Sequence, residues 1–349
     1  MALEIVALAE RPADWDTRIR EYGGKTLFHE SVWLDHVASI TPTGKLEYAE
    51  IRDSGKAIGV VCGVRQRRAF VTILGSPLPG TGTNFGGPLV ADPTRLPEVL
   101  GALIEYWKNH RVMHLELAHP DLDRIDTAAL GLEAHPGVTH VIPLPDTEAA
   151  AWQTLKSTCR NRVRKAEKAG LICEVTSDPA IVDHFYRQYQ EVYAKQGLAL
   201  PMSRETIQSV FDRLVPKERV LPIWVRQGDE VLAAGLFPFD ENAIYFWGAA
   251  SWLKYQALCP NELLHWNIIK LAVARGIPLY NMCGGTSQFK DKFGGSDVPN
   301  VRCSLSYAAW LAPARRLYLQ IHRVRLRVLG LFRRRPVRET PPEASDAYG

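Results

Sequence analysis

Residues 283–296 read C-G-G-T-S-Q-F-K-D-K-F-G-G-S, with two glycine pairs framing two phenylalanines, two lysines and one aspartate. Gly284 and Gly285 permit the backbone to leave a strand close to a ligand. Phe289 and Phe293 are expected to anchor the segment in the core, so that Lys290 holds a fixed charge toward an anionic or carbonyl oxygen. Lys292 is the weaker candidate of the two lysines. The plainer reading is a glycine-rich turn with solvated lysines. A second cationic set lies upstream: Arg160, Arg164 and Lys168 recur every four residues and would share one helix face. Only Glu167 relieves that charge, so the stripe repels itself unless it meets anions, and arginine suits bidentate contact with phosphate.

The elements that must position these groups follow from periodicity and turn chemistry. In the first half, 26–40 reads as a helix with Ser31 as its cap, and 46–67 as two strands about an Asp-Ser-Gly-Lys turn. Residues 77–90 read as a Gly/Pro-rich loop, 95–110 as an amphipathic helix and 112–118 as a strand. The second half repeats that order. A helix over 147–169 ends at Gly170, Asp178-Pro179 opens another ending at Gly197, and Ser203 opens a third. Three strands with tight turns follow, then a helix from Pro260-Asn261, the strand 277–283, the glycine-framed segment and a last strand from Asn300. This is an α+β order occurring twice, which predicts domains at 1–145 and 146–310 with a tail at 311–349.

Composition bounds the class. The 349 residues are 46% hydrophobic and 23% charged, as in a globular chain. No apolar run suits a membrane span, and the acidic N-terminus does not read as a signal peptide, so a cytoplasmic protein is expected. The six cysteines are scattered without ligand spacing, suiting reduced thiols, and no metal site is expected. Residues 311–338 hold nine arginines and no acid. Removing those nine from the 42 basic residues leaves 33 against 38 acids, so the basicity is local.

Four stretches in order, F-H-E-S-V-W (28–33), C-R-N-R-V-R-K-A-E-K-A-G (159–170), Y-Q-A-L-C-P-N-E-L-L-H-W (255–266) and Y-N-M-C-G-G-T-S-Q-F-K-D-K-F-G-G (280–295), resemble the FemABX aminoacyltransferases and their GNAT-like acyltransferase relatives, including CelD-type envelope polysaccharide proteins. The resemblance spans about 26–307. It implies two tandem GNAT-like domains with mixed, mainly antiparallel sheets, and an enzyme of the acyltransferase class. The implied reaction moves an activated acyl or aminoacyl group onto an amine or hydroxyl of a cell-envelope glycan or peptidoglycan precursor. By resemblance, Phe289-Lys290 match the Phe-Lys pair at the donor site, while Trp33 and the Asn84-Phe85 loop match segments lining the acceptor cleft. His36 stands where those enzymes often place a phosphate-binding lysine, and reads more readily as structural or solvent-facing. The glycine-rich pyrophosphate turn of acetyl-CoA users is absent: Tyr255 to Asn261 contain no glycine and include Pro260, which lacks an N–H. Aminoacyl-tRNA, acyl-CoA or an acyl carrier protein stay open as donors, with no permanently bound cofactor.

Acyl transfer needs an unprotonated nucleophile, a close carbonyl and a donor for the developing oxyanion. No Ser-His-Asp set or G-x-S-x-G elbow is present, which favours direct attack over an acyl-enzyme. Lys290 and Tyr255 are the catalytic candidates, Tyr255 as a hydrogen-bond donor to the carbonyl or, equally, as a packing residue. The arginine-rich tail suits a cationic amphipathic helix at an anionic membrane surface, where a lipid-linked precursor would be made. Its alternatives are tRNA binding or disorder. The competing functions are an inactive membrane-docked accessory of polysaccharide assembly and an RNA-binding protein.

Overall fold

The computed structural model describes residues 3–311 together with 313 and 317. The expected basic helix and tail, with the roles assigned to them, otherwise lie outside the described residues.

The first half runs through strand β1 (Glu4–Leu8), helices α1 (Trp15–Arg18) and α2 (Ser31–Ile40), and the hairpin β2 (Gly44–Asp53) and β3 (Lys56–Arg68). It continues with β4 (Val71–Ser76), β5 (Gly87–Val90), α3 (Leu96–Asn109), β6 (His114–Ala118), β7 (Glu133–His135) and β8 (Val138–Pro143). Two local expectations are corrected. Ser31 is the first helical residue of α2 rather than its cap, because its N–H and hydroxyl donate to Asp16 and Glu30 takes the cap position. The loop 77–90 ends in β5, which pairs with β3.

The second half comprises α4 (Glu148–Thr154), α5 (Ser157–Lys168), β9 (Ile172–Val175), α6 (Ala180–Gln196) and α7 (Arg204–Leu214). Then come β10 (Val220–Gln227), β11 (Glu230–Pro238), β12 (Ile244–Tyr245), β13 (Gly248–Ser251) and α8 (Pro260–Ala274). The last elements are β14 (Leu279–Gly284), α9 (Gln288–Asp291), β15 (Ser296–Pro299) and β16 (Arg302–Ser306). The single helix predicted over 147–169 is two, since Leu155 and Lys156 are extended. Leu155 is buried and Lys156 N–H donates to the Lys292 carbonyl at 2.9 Å, so the break docks on the glycine-framed segment.

The described residues form three sheets. One runs β1-β2-β3-β4-β6-β16-β7 with β5 beside β3; the second runs β13-β11-β10-β9; the third runs β12-β14-β8-β15. Among the described strands only β4·β6 and β12·β14 are parallel. The α+β class and mainly antiparallel pairing are therefore those expected. The sheets do not divide at residue 145, however. β8, ahead of that boundary, pairs with β14 and β15, while β16 returns to pair with β6 and β7.

A shared core joins the halves: Phe28, Trp33, Val37 and Phe85 pack in one cluster with Phe185, Val210, Phe211 and Tyr245. Beside it, the nearly inaccessible Lys25 Nζ lies 2.7 Å from Glu30 and 2.5 Å from Glu241, and Arg219 Nε reaches Glu30 at 2.7 Å. Burial alone would lower the Lys25 pKa, but Glu241 and Glu30 raise it on balance, which keeps the ammonium charged between the halves. All six cysteines are free.

Candidate active site

The second and third sheets share one splayed strand. Ile244 and Tyr245 of β12 pair parallel with Tyr280 and Asn281 of β14, and Phe246 N–H still reaches the Asn281 carbonyl at 2.8 Å. Beyond Trp247 the chain diverges, and β13 pairs with β11 alone among the described strands. A wedge thus opens between β13 and the end of β14. Backbone groups along an unpaired inner strand edge require partners, and a ligand can supply them.

The wedge is walled by both halves. Trp247 Nε1 donates to the Gly82 carbonyl at 3.0 Å, and Asn84 Nδ2 lies 2.9 Å from Cys283 Sγ. Cys283 holds a left-handed φ of 59° at an irregularity in the β14·β8 register. Burial pushes its thiol up to about 12 despite Asn84, so it is a neutral thiol rather than a nucleophile.

The glycine-framed segment follows β14, and four side chains fix it. Ser287 caps α9 by accepting the Lys290 N–H, and Phe293 is wholly buried. His140 on β8 places Nδ1 2.7 Å from Asp297 and Nε2 2.7 Å from the Gly294 carbonyl. Lys290 is the fourth, and here expectation is corrected. Its Nζ donates to the carbonyls of Cys283, Gly284 and Gly285 at 3.1, 2.7 and 2.8 Å. An ammonium has three N–H donors, and all three are committed to its own turn. Burial lowers the Lys290 pKa, while Cys283 and Asp297 oppose that shift. Lys290 is a clamp that shapes the strand end, not a free charge facing a leaving group.

The basic helix is corrected likewise. Arg160 folds back on the carbonyls of Gln153 and Leu155 at 3.3 and 2.5 Å, where the α4–α5 break leaves them unpaired. Arg164 stacks on Trp152 at 5.3 Å from the ring centroid, and Lys168 is exposed in the last turn of α5. The cation that meets an anion is Arg162, on a neighbouring face. Arg162 and Lys292 both reach Glu262 Oε1, Arg162 at 2.9 Å. Burial would raise the Glu262 pKa, but Lys292 and then Arg162 bring it below its ordinary value. Lys292 also lies 4.2 Å from the Phe289 ring centroid, so half-buried Phe289 serves as a platform for this cluster. Sequence reading missed Glu262; its place two residues after Pro260, in the first turn of α8, was the available signal.

Of the acceptor candidates, Asn84 alone reaches the wedge. Trp33 is fully buried with Nε1 on Thr83 Oγ1 at 2.9 Å, and Phe85 lies in the shared core. His36 is also fully buried, 3.0 Å from Ser209 Oγ, and burial with nearby Arg213 holds its pKa down at about 4. These three hold the halves together because large aromatic surfaces gain most from leaving water. Tyr255 sits between β13 and α8, half-buried, with Lys254 Nζ 4.5 Å from its ring centroid.

The matched family model is an acetyltransferase (GNAT) domain over residues 153–291. The chain also superposes on the crystal structure of FemX with TM-score 0.67 at 13% identity, covering 85% of this chain and 96% of that one. Two further likenesses are weaker. The C-terminal domain of a putative lysylphosphatidylglycerol synthetase from Agrobacterium fabrum gives TM-score 0.51, 12% identity and coverage of 77% and 87%. A tandem GNAT protein from the clavulanic acid biosynthesis pathway gives 0.50, 12%, and coverage of 88% and 99%. No curated protein sequence matches. The matched domain over residues 153–291 supports an acyltransferase of the GNAT type, and the structural likenesses show the fold that the chain shares with such proteins. The fold of FemX extends over 85% of the chain.

The GNAT fold implies an acyl-CoA co-substrate in general. The start of α8 does not suit a pyrophosphate, however. Pro260 offers no N–H, and the Glu262 carboxylate takes up its own backbone N–H together with Arg162 and Lys292. A helix N-terminus attracts anions, and this one already holds the chain's own.

Proposed function

We propose that the protein transfers an activated acyl or aminoacyl group directly to an amine or hydroxyl of a cell-envelope glycan or peptidoglycan precursor. The observation carrying this reading is the wedge between β13 and β14, closed by Asn84 and Trp247 and shaped by the Lys290 clamp. Such a wedge presents backbone donors to a carbonyl, and fixed donors stabilise a developing oxyanion without reorganising. The Glu262 cluster at α8 favours a donor not held by a pyrophosphate there, which leaves aminoacyl-tRNA or an acyl carrier protein ahead of CoA. Mass spectrometry of envelope precursors from cells with and without the protein tests the reading. A precursor heavier by one amino-acid or acyl residue only when the protein is present supports it. Identical precursor masses in both strains overturn it.

A further inference from the structure

One end of the first sheet gathers exposed cations and aromatic side chains. The β3–β4 hairpin tip carries Arg67, Arg68 and Phe70, all exposed, with Phe70 at 65%. Strand register places Lys45 opposite Arg65 and Met113 beside Thr72, which brings Arg111 to the same end. Tyr307 N–H bonds the Met113 carbonyl, so the chain leaving β16 emerges there too. Trp310 on that exit is 47% exposed, and its ring lies 5.6 Å from Phe70. Lys45, Arg65, Arg67 and Arg111 border one shallow concavity of about 480 Å³.

Two physical facts make this end unusual. Lys45, Arg67, Arg68 and Arg111 have no carboxylate within ion-pair distance among the described residues, whereas Arg65 is neutralised by Glu47. An exposed aromatic pair at this tip also leaves apolar area in water that no other element among the described residues covers. The geometry points to this end of the first sheet as a docking surface for an anionic lipid bilayer, with Phe70 and Trp310 entering the headgroup layer and the four cations facing lipid phosphates. An exposed Phe–Trp pair beside cations suits that layer, where apolar side chains enter beneath anionic headgroups. The nine arginines of 311–338 follow this exit directly in sequence, so charge complementarity continues beyond it. None of the six residues lies in the wedge, so docking and transfer fail independently.

Cosedimentation of the full chain with phosphatidylcholine vesicles, with and without phosphatidylglycerol, tests this surface. Binding is expected only with phosphatidylglycerol and to weaken as salt rises. Phe70→Ser with Trp310→Ser, and separately Arg67→Glu with Arg111→Glu, should each lower partitioning about tenfold or more. Arg124→Glu, an exposed arginine elsewhere, should leave it unchanged; circular dichroism confirms that each variant folds. Wild-type partitioning by both double variants would overturn the surface and leave any binding to the tail. So would equal binding to neutral vesicles, or tighter binding to an RNA oligonucleotide through the same residues.

Discussion

Replacing Lys290 by alanine would strand three carbonyl oxygens of one turn without a donor. Each buried acceptor left unpaired costs about 1–3 kcal/mol, though water can reach part of this turn. Lys290→Ala should therefore lower the urea midpoint and the activity together, and Lys290→Arg should not rescue, because a planar fork cannot cap three converging carbonyls. A lysine acting only as a solvated charge would leave the midpoint unchanged. Glu262 makes the opposite prediction. Glu262→Ala vacates the start of α8 while keeping Arg162 and Lys292, so affinity for inorganic pyrophosphate, read by calorimetry, should rise about tenfold. No gain would mean that Glu262 does not occupy an anion position.

At the scale of elements, Gly295 decides whether the segment after α9 can reach β8. Its φ is 81°, and a Cβ there would stand 2.2 Å from the Val141 carbonyl. Gly295→Ala should destabilise by about 1–3 kcal/mol from backbone strain alone, with the clash adding to it, measured by thermal unfolding. Helices α3, α6 and α7 and the β2–β3 hairpin were legible in the sequence because caps, periodicity and turn residues act over a few positions. Glycines 284, 285, 294 and 295 likewise marked 283–296 as a special segment. What Lys290 and Arg160 would bind was not legible. Each meets carbonyls freed by an irregularity, the β14 register shift and the α4–α5 break, and those arise from tertiary pairing. The wedge was hidden for the same reason, since β12 and β13 read as one continuous apolar run.

At the scale of the whole molecule, buried imidazoles couple stability to pH, three of them with large shifts. Burial, then His119, holds His29 at about 4; burial, then Arg213, holds His36 at about 4; and burial, then Lys292 and Lys290, holds His265 at about 3. Unfolded, each takes its proton near its ordinary value of 6.5. Between about pH 6.5 and 4 the unfolded chain therefore binds more protons, and stability falls as pH falls. Each unit of difference is about 1.4 kcal/mol per group, so the urea midpoint should drop steadily from about pH 7 to pH 5. His36→Gln, which cannot titrate, should flatten that slope. The Lys25 network is a second molecular-scale device. Lys25→Met leaves Glu30 with Arg219 alone and the half-exposed Glu241 without its ammonium, and should cost about 1–3 kcal/mol at the join between halves.

The traffic of β8 and β16 across the middle of the chain also constrains its birth. A ribosome that has released residues 1–145 has delivered β8 without β14 or β15, and β6 and β7 without the strand that lies between them. Those naked edges invite pairing with other nascent chains until Arg302–Ser306 arrives. Neither half should fold when expressed by itself, but the two halves produced together should reassemble into one particle.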